Sequence, residues 1–378
     1  MSNYQETVFN CSDQFFNQLI TDIRQAKKSI EIEIYLFKFD NLGQKIINEL
    51  INAAKRNVTI RILVDGIGSP NWKGSMVDML DQNGIKSKIY HPLPWSLSQF
   101  NRSVYNKPWI KKILYFITNI NSRNHRKVIL IDNKILHIGS RNFDTRHLSL
   151  DQGGLNWRDT NIRLVNSPFN NLKNSLESAW GNQQIIDRIQ QKIIKPLEHY
   201  SPIRLNDTRR QRRLAYKNLL KKISQAESKI WITNAYFIPN NLLLKKLIQA
   251  AQKKIDVRIL LPHKSDVAVI PWISEFFYRK LIENGVRIFE YTPSMLHAKN
   301  IIIDNWVLIG TSNLNHRSLL HDLEVDVVVK LEPSKQKVID QFHDDLSLSE
   351  EIKNPFLQRR HWLKRFIGRI IMQIKFFM

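Results

Sequence analysis

The chain has a single cysteine, Cys11, which excludes an internal disulfide framework and any cysteine-rich zinc site, so nothing points to an oxidising compartment. It has no run of 18 consecutive apolar residues, so no transmembrane helix is expected. The N-terminus, MSNYQETVFNCSDQFF, lacks a basic start leading into an apolar segment, and no secretory signal is expected. Acidic side chains are scarce: 34 Asp+Glu against 57 Lys+Arg leave a net charge of +23. Such a surface favours a polyanion, either nucleic acid or an anionic membrane, and charge alone does not choose between them. A hydrophobic fraction of 43% with 10% aromatics excludes a disordered or collagen-like chain and supplies real cores. At 378 residues the length predicts two domains.

The chain repeats itself. Gln25-Ala26-Lys27-Lys28-Ser29-Ile30 resembles Gln225-Ala226-Glu227-Ser228-Lys229-Ile230, and each leads into an apolar, strand-like run. Helical patterns follow at 42–55 and 242–253, both with an Ala-Ala pair near the end, and then the strands 58–64 and 256–261. Strand, helix, strand at this spacing is a βαβ unit, which predicts an α/β protein with mixed sheets. The first half carries about 25 extra residues around 92–121. We therefore expect a first domain over 1–195 with a basic, aromatic insertion at about 92–121, a linker at 196–213, a second domain over 214–350, and a basic amphipathic helix at 354–378. The run Arg209-Arg210-Gln211-Arg212-Arg213 reads as a solvated linker face.

The most specific signal is a duplicated motif. The first half reads His125-x-Lys127, four residues, Asp132, six residues, Gly139-Ser140-Arg141-Asn142. The second reads His297-x-Lys299, four residues, Asp304, five residues, Gly310-Thr311-Ser312-Asn313. In each, His and Lys alternate on a strand pattern and share a face, and the apolar run after the Asp reads as the partner strand of a hairpin. The shorter second copy predicts a tighter hairpin turn. These residue types suit phosphoryl transfer without a metal. Two ammoniums, two amides and the hydroxyls of Ser140 and Thr311 can bind the phosphate oxygens on which charge develops. One imidazole can attack phosphorus while the other protonates the leaving alcohol. A carboxylate on the far ring nitrogen would set each tautomer, and Asp159 and Glu324 are the candidates. A lone His-x-Lys carries almost no information, but the same set found twice in two related halves carries a great deal.

With these motifs the chain resembles the phospholipase D superfamily and, within it, bacterial cardiolipin synthases, over roughly residues 29–329. The resemblance is carried by Asn124-His125-Arg126-Lys127, Trp157-Arg158-Asp159-Thr160, Ala235-Tyr236-Phe237-Ile238-Pro239 and Met295-Leu296-His297-Ala298-Lys299. Leu260-Leu261-Pro262-His263-Lys264-Ser265-Asp266 and Asn313-Leu314-Asn315-His316-Arg317-Ser318 add to it. It implies two similar domains, each a mixed sheet flanked by helices, with one site at their interface. It also implies His125 as nucleophile and His297 as general acid/base. Lys127, Lys299, Asn142 and Asn313 would bind phosphate, Asp159 and Glu324 would orient the histidines, and Asp132 and Asp304 would be structural. No metal or other cofactor is implied.

The remaining expectations concern partners. Residues 82–131 contain no acid and nine bases, with Trp109, Ile110, Ile113, Leu114 and Ile117 at helical spacing. The C-terminus repeats this, with Leu363, Phe366, Ile367, Ile370, Ile371 and Ile374 on one face and arginines and lysines on the other. Basic amphipathic helices with aromatics read as anchors on anionic lipid, although a stripe packed on the protein's own core has the same spacing. The leading reading is therefore a monomer with an internal pseudo-twofold, peripheral on the cytoplasmic face of a bacterial inner membrane, with export by a route that leaves no N-terminal signal as the alternative. It would join two phosphatidylglycerols into cardiolipin and release glycerol. A hydrolytic phospholipase D shares the chemistry. A metal-independent nuclease suits the charge but not the apolar anchors, so no nucleic-acid partner is expected. A scaffold role would require a broken motif, and both copies are complete.

Overall fold

The strand and helix patterns of the two halves fold into two mixed sheets that pack face to face. The structure, a computed structural model, describes residues 4–93, 99, 102–103, 123–181 and 201–353. Most of the 92–121 insertion, the 354–378 helix and the first residues of the expected linker therefore lie outside the described residues. The first sheet has seven strands: β1 (Gln5–Phe9), β2 (Ser29–Ile34), β3 (Thr59–Asp65), β4 (Lys86–Tyr90), β5 (Lys127–Ile131), β6 (Ile135–Gly139) and β7 (Asn161–Val165), in the order β1-β7-β6-β5-β2-β3-β4. The second has eight: β8 (Ile203–Leu205), β9 (Lys229–Asn234), β10 (Asp256–Pro262), β11 (Arg287–Tyr291), β12 (Lys299–Ile303), β13 (Trp306–Gly310), β14 (Val325–Val329) and β15 (Ser349–Glu351). Their order is β15-β11-β10-β9-β12-β13-β14-β8. β2, β3 and β4 run parallel, as do β9, β10 and β11, while the motif strands β5 and β12 join antiparallel. The second sheet is thus the first repeated, with β15 added at its edge.

Residue alternation decides what each strand face touches. In β5, Val128 and Leu130 point to the other sheet, meeting Ile302, Val307, Ile309, Val325 and Val327 in one shared core. Ile129 and Ile131 point the opposite way, onto the helices Ser12–Gln25 and Asn41–Lys55. β12 mirrors this, with Ile302 turned inward and Ile301 and Ile303 turned to the helices of the second half. Each such side chain contributes roughly 1.5–3 kcal/mol of burial, and the inner layer is shared by the two halves.

Part of the expected linker is built into the second half. Ile203–Leu205 pairs with β14 as an edge strand, as β1 pairs with β7. The basic run at 209–213 opens the helix Arg209–Ser224 rather than lying on a connector. A capping box starts that helix: Gln211 N donates to Thr208 Oγ1 (3.1 Å) and Thr208 N to Gln211 Oε1 (3.0 Å).

Asp132 and Asp304 close the motif hairpins. β5 and β6 are joined by a three-residue loop and β12 and β13 by a two-residue loop, so the missing residue of the second motif is taken from the turn. Both aspartates sit at positive φ (53° and 50°), which a short Asx side chain tolerates. Asp132 accepts from the backbone N–H groups of Lys27, Lys28 and Ser29 at 2.8, 2.7 and 2.9 Å. Asp304 accepts from those of Glu227, Ser228 and Lys229. Partial burial alone would raise Asp132, but the three N–H donors outweigh it and hold the carboxyl below its ordinary value. A depressed carboxyl stabilises the fold above its unfolded pKa and loses that contribution as pH falls through the folded value. Asp132→Ala should cost about 2 kcal/mol, counting the lost charge-assisted bonds, their partial solvent screening and the positive φ. Asp132→Asn should cost less. Urea denaturation at pH 7 and pH 3 checks this, and the difference between wild type and Asp132→Ala should shrink at pH 3.

Candidate active site

The site lies where the two halves clip together. Two isolated parallel bridges join them: Asn124 to Leu323, and Arg158 to Leu296. His125 N donates to Leu323 O (3.0 Å) and Leu323 N to Arg123 O (2.8 Å). Across the pseudo-twofold, Arg158 N donates to Met295 O (2.8 Å) and His297 N to Arg158 O (2.8 Å). In each bridge the residue before a motif histidine meets the residue before a carboxylate of the other half.

The carboxylates are therefore crossed. His125 Nδ1 lies 3.0 and 3.1 Å from the two oxygens of Glu324, and His297 Nδ1 lies 2.8 Å from Asp159 Oδ1. An ionised carboxylate only accepts, so with Glu324 and Asp159 ionised each Nδ1 carries the proton and each Nε2 keeps its lone pair. The motif lysines begin β5 and β12 and fold back: Lys127 Nζ donates to His125 O (2.7 Å), and Lys299 Nζ donates to His297 O. An aromatic ring covers each pair. Tyr35 stands edge-on to His125 at 5.1 Å with Lys127 over it at 5.3 Å. Tyr236 lies 6.4 Å from His297 and 5.9 Å from Lys299.

All these groups are buried, and burial sets their proton affinities. Burial, then the Lys127 and Lys299 charges, push His125 well below the ordinary histidine range. Burial and Lys299 likewise lower His297. Burial lowers Lys127 to about 7 and Lys299 to about 8, although carboxylates nearby pull both upward. Burial raises Glu324 to about 7 against Lys127 and the Thr311 and Ser318 hydroxyls. Burial alone would raise Asp159 too, but the His147 and His297 rings outweigh it and hold that carboxyl well below its usual range. The pocket thus carries weakened positive charge with neutral imidazoles, and an entering anion would restore the lysines to full charge.

The predicted residues divide by task. His125, Lys127, His297, Lys299, Asp159 and Glu324 come together as one buried set. Asn142 and Asn313 follow the motif hairpins. Asn142 Oδ1 accepts from Leu36 N (3.3 Å), whereas Asn313 Oδ1 has no partner among the described residues. The hydroxyls of Ser140 and Thr311, expected on phosphate, are committed to protein instead. Ser140 Oγ accepts from Thr160 N (3.1 Å) and donates to Thr160 O (3.3 Å), and Thr311 Oγ1 binds Glu324 and accepts from Val325 N (3.0 Å). Both are fully buried and pin the strand behind a carboxylate. Sequence reasoning missed Tyr35, His147 and Ser318. His147 Nδ1 lies 2.6 Å from Asp159 Oδ2, and Ser318 Oγ donates to Glu324 Oε1 at 2.7 Å. The available signal was spacing, since both stand five residues after a motif asparagine. His147, Asp159 and His297 also bring potential ligand atoms within 4.8 Å of one another. Each ring already donates to a different oxygen of Asp159, and those two hydrogen bonds account for the convergence.

Residues 19–180 and 219–346 match the family described as "Cardiolipin synthase, PLD-like domain". A cardiolipin synthase of Clostridium perfringens is 29% identical over 96% of this chain and 74% of its own length. One from Halalkalibacterium halodurans is 30% identical over 91% of this chain and 66% of its own. Among solved structures, a phosphatidylserine synthase of Haemophilus influenzae superposes with a TM-score of 0.70 at 14% identity, covering 99% of this chain and 94% of that one, which shows a shared fold.

The lowered lysines give a pH test of anion binding. Lysine is charged below its pKa, so raising pH through 7–8 should discharge Lys127 and Lys299 in the empty site. Sulfate keeps constant charge over this range, so its affinity, measured by calorimetry, should fall by about tenfold or more between pH 6.5 and 9. A flat profile would show that these lysines do not hold the anion.

Proposed function

Because the chain belongs to the cardiolipin synthase family with phospholipase D-like domains, we propose that it transfers a phosphatidyl group between two phosphatidylglycerols through a phosphohistidine. The crossed imidazole–carboxylate pairs support this reading best, since they leave one Nε2 to attack and one to move the proton. His125 Nε2 attacks phosphorus, the bond from phosphorus to the glycerol oxygen breaks, and His297 Nε2–H protonates that oxygen as glycerol leaves. The hydroxyl of a second phosphatidylglycerol then gives its proton to His297 and attacks phosphorus. The P–N bond to His125 breaks, cardiolipin forms, and both histidines return to their starting states. The phosphodiester's negative charge favours the protonated form of His297, which burial and Lys299 disfavour in the empty site. Lys127, Lys299, Asn142 and Asn313 hold the charge that builds on the equatorial oxygens. Tyr35 and Tyr236 place their rings against the Lys127 and Lys299 ammoniums.

The substrate is a membrane lipid, and we place the protein as a monomer on an anionic membrane surface at the cytoplasmic face. No helix among the described residues is long and apolar enough to cross a membrane, and the basic segments at 92–121 and 354–378 supply the attraction. Deleting residues 363–378 should sharply reduce sedimentation with anionic liposomes. Unchanged sedimentation would remove that segment from the account.

The reaction is tested with phosphatidylglycerol liposomes and chelator, resolving products by mass. Cardiolipin plus free glycerol, absent with His125→Ala and with His297→Ala, is the expected result. Phosphatidic acid in place of cardiolipin would make the enzyme a hydrolase, and product formation surviving either substitution would overturn the assigned roles.

A further inference from the structure

The two motifs are alike, and the halves differ in groups outside them that reach the carboxylates behind the histidines. The halves differ at the fifth residue after each motif asparagine. In the first half this is His147, closing the 3-10 turn Thr145–His147 whose cap is Asp144. In the second it is Ser318, in the short helix His316–Leu320 whose cap is Asn315. Both caps stand two residues after the asparagine, so His147 and Ser318 occupy equivalent places. Each reaches the carboxylate behind a motif histidine, His147 at 2.6 Å from Asp159 Oδ2 and Ser318 at 2.7 Å from Glu324 Oε1.

His147 has no freedom of tautomer. Its Nε2 accepts from the backbone N–H of Asn142 (3.2 Å), so the proton sits on Nδ1 and is donated to Asp159. The two oxygens of Asp159 thus each receive one ring N–H, from His147 and from His297. Trp157 closes the group, 5.1 Å from His147 and 5.7 Å from His297, and the two histidine rings are 5.7 Å apart. Arg158 and Arg141 donate to the backbone oxygen of Asp159, leaving its carboxylate to the two rings. Glu324 instead receives hydroxyls from Thr311 and Ser318.

We propose that His147 is a positioning residue that makes His297 the proton-transferring histidine, while Ser318 at the equivalent place leaves His125 to attack. The assignment of those two steps rests on the function proposed above. A histidine that shuttles protons passes through imidazolium, which a permanently ionised and immobile carboxylate stabilises. Two ring N–H groups, one on each oxygen, give Asp159 both properties, because His147, with Nε2 already accepting, can only donate to it, whereas the Thr311 and Ser318 hydroxyls on Glu324 can turn to accept a proton from it. A histidine that attacks needs only its Nε2 lone pair, and the Glu324 cradle of hydroxyls supplies the Nδ1 acceptor for that.

The test uses full-length protein with ¹⁵N-labelled histidine as wild type, His147→Leu, His147→Asn and Ser318→Ala. Asparagine carries an N–H at the same distance from Cβ as Nδ1, whereas leucine carries none. In His147→Leu the His297 Nδ1–H resonance should move while that of His125 stays, and Ser318→Ala should do the reverse. On phosphatidylglycerol liposomes His147→Leu should lower kcat by about tenfold with KM within about twofold, and His147→Asn should recover to within about threefold, the scale expected of a group acting through another. The proposal falls if His147→Leu leaves the His297 resonance in place or moves both equally, or if leucine and asparagine are equally impaired. Should His147→Leu fail to fold, His147→Asn and Ser318→Ala still decide, because asparagine must leave both resonances near their wild-type positions and Ser318→Ala must move only that of His125. The resonances are read without substrate, so wild-type protein that makes no cardiolipin would overturn the proposed reaction and still leave His147 to be judged.

Discussion

Everything in the site depends on the crossing of each motif histidine onto a carboxylate of the other half. His125 rests on Glu324 and His297 on Asp159, and the two backbone bridges fix those pairings before any side chain is considered. Neither half is an active site alone, since a separated half would present a histidine with no acceptor behind Nδ1. The shared inner layer around Val128, Leu130, Val307 and Val325 supplies the burial that keeps the halves together. Buried ion pairs across the junction, Arg126 with Asp207 and Arg158 with Asp345, add little net stability after desolvation. Both arginines reach these partners in the same placement of the sheets that aligns the histidines.

The same burial that secures the clamp prepares the site for its ligand. Lysines lowered towards neutrality and imidazoles held uncharged are the response of cationic groups to a dry, crowded pocket. A phosphodiester reverses each of these shifts, so substrate binding and the charging of Lys127 and Lys299 are linked. The transition state, with more charge on phosphorus oxygens than the ground state, benefits further from the same groups. A site already satisfied by internal ion pairs would have less to gain from the substrate.

Much of this was legible in the chain because it is written in local spacing. Alternation in Lys127-Val-Ile-Leu-Ile and Lys299-Asn-Ile-Ile-Ile gives the motif strands, and the one-residue difference between the motifs appears as a shorter loop. The repeat gives two sheets, and the motif residues converge as one set. What spacing cannot give is the pairing of residues 199 and 138 positions apart, so Asp159 and Glu324 were recognisable as partners but not assignable to a particular histidine. Charge density misled at 209–213, where the Thr208 and Gln211 capping signature outweighs the look of a linker. Residue type misled at Ser140 and Thr311, because a hydroxyl beside a phosphate site can equally pin the strand behind it.

The two halves keep the same reacting groups and differ in what supports them. Arg141 in the first half threads its buried guanidinium between Ser12 Oγ, the carbonyls of Phe9 and Asn10, and Asn161 Oδ1. Its counterpart in the second half is Ser312, whose hydroxyl donates to Asp326 at 2.7 Å. The residue five positions after each motif asparagine differs in the same way, an imidazole against a hydroxyl. In the proposed two-step transfer through a covalent intermediate, one histidine bonds phosphorus and the other carries a proton. In the proposed reaction the duplicated motif would grip the phosphate oxygens from both halves, while the divergence one layer out makes the surroundings of the two histidines unequal.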